Sequence, residues 1–433
     1  MISTRAPGSE VKHSDLYQVK VGGRSVFVYD CEVAHYAILS GTDDLTVEVD
    51  VGFPFERVTI RPLSARVIPR WTERCLRFKV TAPCRLSVEF DDDMRHPLFV
   101  LINPPDRDIP ERGQRGIHFF PSGMVHEVGE VRLGSGETAY IEDGAVVRGR
   151  FVASDVRGVC IRGRGILDGS TWRSRPADAK SLIRIERGVQ VYIEGITLVD
   201  AASWHVVPMA CSDVQIQNVS ILGINGTGDG IDVVSCQRVN IADCFIRTKD
   251  DCIALKGVEP LGGTTATGNV YDVRVSGCVL WNAEWGNAVE IGYETRCAEI
   301  ARVVFRDMDV IHCELEGNGS GAVFAIHNGD RAMVRDILYE NVRVEDAREK
   351  LIDLKVLRSR YSRDKERGHI RDVRFRNVQV VDGPFPVSIL RSYDQDHSVS
   401  DITIENLVIA GRHITSANEA RMVVEGASNL RFM

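Results

Sequence analysis

The hydrophobic rhythm of the chain changes once. Up to Ile102, apolar and polar residues alternate in short runs, SVFVYD, LTVEVDVGF, RVTIRP, RLSVEF and PLFVLI, separated by Gly, Pro and Asp clusters. Period-two runs broken in this way predict half-covered strands, and hence an antiparallel β-sandwich over residues 1–103. The stretch PPDRDIPERGQRG, from Pro104 to Gly116, concentrates proline and charge and predicts a connector over residues 104–116. From there the pattern becomes a repeat. Short apolar strings recur, SLIRIE, HVVPMA, GIDVVS, CIALKG, AVEIGY, AVFAIH, LIDLKV, VSILRS and RMVVEG, about 22 to 36 residues apart. Each is answered by a second run such as VQIQNVSIL, VNIADCFI, DILYENVRV or VRFRNVQV. No run has helical spacing, so the repeat predicts stacked strands. The fold class is all-β, with a parallel β-helix over residues 117–433 whose rungs bury one aliphatic stripe per strand and remove most sheet edges.

Laying the strings under one another places the acids. Asp229, Asp251 and Asn287 share a column, with Gly228, Asp250 and Gly286 in the column before it. Asp232, Ala254, Glu290 and Ala325 form an outward column between inward Ile231, Ile253 and Val289 and inward Val233, Leu255 and Ile291. A one-residue slip would reverse every side chain, so this register is a definite expectation. With rungs roughly 4.8 Å apart, Asp229, Asp250 and Asp251 crowd together. Each charge then disfavours ionisation of the others, which sets a proton donor beside a proton acceptor. A lone Asp at such a place reads as a turn residue; three on adjacent rungs read as acid–base chemistry.

Composition narrows the partners. The 433 residues carry 38 glycines, 7% aromatics and a net charge of -8 that is spread along the chain, which favours a turn-rich β protein. There is no basic stripe for nucleic acid and no polybasic segment for a membrane. No apolar run reaches the length of a membrane span, and the start, MISTRAPGSEVKHSDLYQVKVGG, has no signal-like apolar core, so a cytoplasmic location is expected. Eleven cysteines without paired short spacings read as buried reduced thiols rather than a zinc site. The seven-residue intervals between Cys236, Cys244 and Cys252 leave a disulfide between nearby rungs open. No metal or cofactor is called for.

The segment GTGDGIDVVSCQRVNIADCFIRTKDDCIALKG, from Gly226 to Gly257, resembles the core of glycoside hydrolase family 28, the polygalacturonase-like enzymes. The resemblance runs from about Gly144 to the end, and a sandwich leading into such a helix is also similar to the family 49 dextranase and isopullulanase group. It implies a right-handed, pectin-lyase-like β-helix and hydrolysis with inversion. Asp250 would be the general acid, and Asp229 and Asp251 the carboxylates that activate water. The chain departs from the pattern in places. The family's Asn-Thr-Asp reads Thr227, Gly228, Asp229, and its Gly-His-Gly reads Gly286, Asn287, Ala288. Its uronate-gripping Arg-Ile-Lys reads Ala325, Ile326, His327. Losing those cations removes the charge-assisted bonds that a sugar carboxylate needs. A neutral, α-linked glycan is therefore expected ahead of polygalacturonate, while Lys249 and Lys256 keep an anionic sugar open.

Further substrate contacts are expected from Asn287, Glu290, His327 and Lys256, with Glu290 projecting outward toward sugar hydroxyls or standing as a solvated face residue. Trp204, His205 and Trp285 could present a sugar-stacking platform. Asp353 and Lys355 read as an ion pair on a solvated strand. Long connections after Gly257 and after Leu357 should shape the binding face. Two rival functions remain: a lyase or uronate epimerase on the same scaffold, or a glycan-binding solenoid without activity.

Overall fold

The computed structural model describes residues 2–172, 180–258, 268–314 and 321–433. The Gly257–Asn269 connection expected to shape the binding face lies outside the described residues over 259–267. Among the described residues no helix is long and apolar enough to cross a membrane.

The first hundred residues form two packed sheets. One joins Ile2–Ser3, Ala34–Gly41, Leu98–Asn103, Cys84–Phe90 and Val58–Arg61, with Val28–Cys31 added beside Ala34–Gly41; the other joins Arg24–Val26, Tyr17–Val21, Asp43–Val51, Cys75–Ala82 and Arg70–Trp71. Tyr17–Val21 alternates buried and exposed residues, as a strand with one wet face must. Ala34–Gly41 and Leu98–Asn103 are buried at every position, because their sheet is covered on both sides.

The second cover is the β-helix. Tyr29, Tyr36, Ile38, Phe99 and Leu101 of the sandwich share a core with Val199, Leu222, Phe245, Trp281 and Ile311 of the helix. The Phe99 ring centroid lies 4.8 Å from that of Phe245 and 5.8 Å from that of Trp281. A buried polar seam borders this core. Arg61 meets Glu345 at 2.6 Å and Glu89 at 3.2 Å, and His312 lies between Glu89 at 3.1 Å and Asp346 at 3.0 Å. The connector is pinned to the helix rather than free: Arg164 donates to the Pro104 carbonyl at 3.1 Å, and the Tyr140 hydroxyl to Asp106 at 2.7 Å.

From Ile117 to Phe432 strands coil rung upon rung in parallel, apart from Arg412–Ile414, which turns back antiparallel on Val399–Ile409. One corner column explains the repeated polar residue inside the second run of each repeat. Gly195, Asn218, Asp243, Gly277, Asp307, Asn341, Asn377 and Asn406 all have positive φ, a region that Gly, Asn and Asp enter most easily. Asn406 donates to Asn377 at 2.9 Å, Asn377 to Asn341 at 3.0 Å, and Asn341 to Asp307 at 2.9 Å, forming a ladder along the stack. At Gly277 a β-carbon would lie 2.3 Å from an Asp243 carboxylate oxygen, so a larger residue there would have to displace that side chain. All eleven cysteines are free thiols; Cys211 and Cys236 lie on adjacent rungs, with the Cys211 N–H donating to Cys236 Sγ at 3.3 Å.

Candidate active site

The face that matters is the stack Val206–Met209, Ile231–Val234, Ile253–Gly257, Val289–Thr295, Ala322–Asn328 and Lys350–Val356. Its register pairs Ile231 with Ile253 and Val289, and Asp232 with Ala254, Glu290, Ala325 and Asp353, which is the outward column expected from apolar alternation. A second outward column runs beside it: Val234 pairs with Lys256, and Gly292 with His327 and Lys355. Acids line one column and cations the other. The two small residues, Ala254 and Ala325, leave room for them to reach across.

Asp229, Asp250 and Asp251 stand at the mouths of these rungs, and oxygens of all three come within 4.8 Å of one another. Asp229 and Asp251 are 2% and 8% exposed, whereas Asp250 is half-buried and open to solvent. The cluster is therefore a buried floor with one acid at its lip. Two bonds to its carbonyl, from Thr248 and from Asn282, both at 2.9 Å, fix the Asp250 backbone. Asp251 Oδ1 accepts from the Asn287 backbone N–H at 2.7 Å and from its Nδ2 at 2.9 Å. Burial, then the charges of Asp229, Asp250 and Glu290, push the Asp251 carboxyl well above the usual range, with Lys256 opposing.

Lys256 is a structural cation rather than a substrate contact. Its Nζ donates to Asp229 Oδ2 at 2.7 Å and Asp232 Oδ1 at 2.6 Å, with side-chain exposures of 6%, 3% and 0% for the three. Burial works against its charge, but Asp229 and Asp232 outweigh burial and raise it well above the lysine norm. It also lies 3.8 Å from the centroid of the half-buried Trp204 ring, so that ring face is occupied by an ammonium. Asp232 is lifted well above the carboxylate range by burial and by Asp229. It belongs in the site although its role was not foreseen, and the signal for it is its place in the column of Glu290.

Three further expected contacts prove inaccessible. His205 is fully buried, its Nδ1 2.8 Å from the Asp229 carbonyl and its Nε2 accepting from the Ala201 N–H at 3.4 Å, and burial lowers it to about 4. It is a neutral prop for the Asp229 turn, not a sugar platform. Glu290 has no exposed surface and is occupied by Asn287 Nδ2 at 3.0 Å and His327 Nδ1 at 2.9 Å, so it neither meets sugar hydroxyls nor stands on a solvated face. His327, 1% exposed, lies between Glu290 and Asp353, whose oxygen is 3.3 Å from Nε2. Burial opposes its charge, yet the two carboxylates raise it to about 9. Asp353 does pair with Lys355, at 2.8 Å, but it is wholly buried. At Gly292 a β-carbon would stand 2.2 Å from the His327 carbonyl and 2.9 Å from Glu290 Oε1, so only glycine lets this layer close.

Solvent-facing aromatics flank the lip. Trp285 is 43% exposed, so its ring remains accessible. Tyr361, unforeseen and 37% exposed, comes from the Leu357–His369 connection, which Asp330 anchors by accepting from the backbone N–H groups of Arg363 and Asp364 at 2.6 and 2.7 Å. Its neighbour Arg360 donates to the Tyr361 hydroxyl at 2.5 Å. Asn287, also expected to meet substrate, is 3% exposed and lies beneath the acids with its amide committed to Asp251, Glu290 and the Ala322 N–H, so it does not.

A family model for glycosyl hydrolases family 28 matches residues 120–428. The chain belongs to that family. A probable polygalacturonase of Arabidopsis thaliana is 25% identical over 203 residues, 46% of this chain and 41% of that protein. Rhamnogalacturonase A of Aspergillus niger is 30% identical over 156 residues, 33% and 35% of the two chains. The matches thus span less than half the length of these family members. The structure of Dex49A from Penicillium minioluteum superposes with a TM-score of 0.74 at 16% identity, covering 99% of this chain and 96% of that one, sandwich included.

Proposed function

We propose that this family 28 enzyme hydrolyses an α-glycosidic bond of a poly- or oligosaccharide with inversion, using Asp250 as proton donor and Asp229 with Asp251 to activate water. The observation that carries this reading is the unequal burial of the three acids. A glycosidic oxygen can reach Asp250 at the lip, but only a molecule as small as water can reach the other two. The buried cluster as a group retains a proton near neutrality, and Asp250 is placed to hand it on. Aspartate oxygens within 4.8 Å of one another are closer than the roughly 6.5–9.5 Å usual between inverting carboxylates. That spacing favours a second reading, retention through a glycosyl-enzyme, but Asp229 and Asp251 are too deeply buried to attack a sugar carbon.

A neutral glycan is favoured because Ala325 has no charge and the His327 cation is enclosed by Glu290 and Asp353, so neither grips a uronate. The polygalacturonase and rhamnogalacturonase relatives favour a pectic chain as the second substrate class. The test is digestion of a panel of neutral α-glucans and pectic polymers, followed by product mass and anomeric NMR. Inversion at an α-glucan bond is expected. Retention would reject the water-activating roles, cleavage of pectin alone would reject the neutral substrate, and an ultraviolet-absorbing unsaturated product would reject hydrolysis.

A further inference from the structure

We propose that Glu290, His327 and Asp353 form a buried positioning chain that acts through Asn287 to orient Asp251 and to fix which of its oxygens faces the attacking water. The proposal rests on the hydrolase reading above, and it reassigns four residues that sit beneath the cleft without touching it.

The chain begins at an amide that cannot turn. Asn287 Oδ1 accepts from the Ala322 backbone N–H at 2.9 Å, which forces Nδ2 toward the acids. One Nδ2 bond goes to Asp251 Oδ1 at 2.9 Å and the other to Glu290 Oε2 at 3.0 Å. With the Asn287 backbone N–H also on Asp251 Oδ1, that oxygen is committed, and Oδ2 is left for water. Glu290 must be an acceptor for this to hold. His327 makes it one, with Nδ1 2.9 Å from Glu290 Oε2 and its backbone N–H 3.3 Å from Oε1. Asp353 ends the line as an ion-pair partner 3.3 Å from His327 Nε2, without hydrogen-bond alignment, and is itself held by Lys355 at 2.8 Å and Lys350 at 3.5 Å. Tyr293 stacks on the imidazole at 4.6 Å between centroids.

Charges alternate along this line. Asp251 faces Asp229, Asp250, Glu290 and Lys256; His327 faces Glu290 and Asp353. A charged His327 offsets Glu290, and so limits the repulsion that reaches Asp251. Removing His327 and removing Glu290 should therefore move Asp251 in opposite directions, which a merely structural role for either residue would not produce.

The measurement is a carbon NMR titration of protein labelled at its aspartate carboxyls, with Asp251→Asn identifying the signal. His327→Gln should raise the Asp251 midpoint by roughly one pH unit, a tenfold change in its ionisation at fixed pH. Glu290→Gln should lower it. Asp353→Asn, at the far end of the chain, removes a more distant negative charge and should give a smaller fall, and His327→Asn serves if His327→Gln does not fold. An unchanged midpoint in these variants, or shifts of one sign, would overturn the proposal. Kinetics on the glycan identified in the panel supply the second readout: kcat should fall on the order of tenfold to a hundredfold with KM held, as expected for displaced geometry. A rise in KM alone would make these residues sugar ligands and overturn the proposal. The titration needs no substrate, so a wild-type protein that cleaves no glycosidic bond yet shows the opposed shifts would reject the reaction and leave the orienting chain standing.

Discussion

Replacing Lys256 by Met keeps the length of the side chain and removes the ammonium shared by Asp229 and Asp232. Breaking one side of such a buried pair costs about 3–5 kcal/mol. The cost can be worked independently from protons. With no cation nearby, the folded variant must take up one further proton on its acids, whereas the unfolded chain keeps them ionised at neutral pH. At pH 7, about three units above an ordinary carboxylate, that uptake costs about 4 kcal/mol. Because the folded variant binds the extra proton, its stability relative to wild type falls as pH rises, by about 1.4 kcal/mol per unit between roughly pH 4 and pH 7. Lys256 itself is raised above the lysine norm, so its contribution is complete throughout that window and is lost only in strong alkali. An unfolding entropy of about 2 cal/mol/K per residue gives roughly 0.9 kcal/mol/K for the whole chain. The melting temperature should then drop by about 4–5 °C at pH 7 and by under about 2 °C at pH 5. Differential scanning fluorimetry at both values decides it. An equal drop at the two pH values, or none, would refute the assignment of Lys256 as counter-ion to a buried acid pair.

Asp250→Asn should lower kcat by about 10²–10⁴-fold while KM stays within a few-fold, read from initial rates on the cleaved glycan; near-normal turnover would remove Asp250 as proton donor. Asn341→Ala severs two rungs of the corner ladder and leaves at positive φ a side chain that lacks the amide which lets asparagine tolerate that region, costing about 2–3 kcal/mol in urea denaturation, while Asn341→Gly should recover the backbone part of that loss. Phe99→Ala empties the contact with Phe245 and Trp281 and should cost about 3–5 kcal/mol by the same measurement. Dialysis against a chelator should leave the rate unchanged, since Asp229 Oδ2 and Asp251 Oδ1 are already bonded to Lys256 and Asn287; a loss restored by Ca²⁺ would reassign the cluster.

The sandwich, the β-helix and the register at Asp232, Ala254 and Glu290 were legible because period-two alternation tells inward from outward residues whatever covers the outward side. That same limit explains the misreadings. Glu290, His327 and Lys256 do point away from the helix core, and alternation alone cannot reveal that a second polar layer buries them. The clue was electrostatic. Outward positions carrying Asp232, Glu290 and Asp353 in one column and Lys256, His327 and Lys355 in the next are far more charge than a solvated face needs. His205 was misassigned because an adjacent Trp suggested a platform, whereas its partners, the carbonyl of Asp229 and the N–H of Ala201, are backbone groups that carry no sequence signal. Tyr361 escaped notice because its connection crosses more than one rung of the fold before reaching the site.

The core shared by sandwich and helix has a consequence for how the protein is made. Synthesis completes the sandwich first, with Tyr36, Ile38, Phe99 and Leu101 turned toward a partner that does not yet exist. Their cover arrives piecemeal, beginning with Val146 and ending with Ile311. At roughly 5–20 residues per second, the intervening 200 or so residues take about 10–40 s to emerge. For that interval a nascent chain carries an aromatic face open to solvent, narrowing with each rung that winds against it. The docking surface that fixes the sandwich in the finished enzyme is thus also the place where a ribosome-bound intermediate is most open to a chaperone or to another copy of itself.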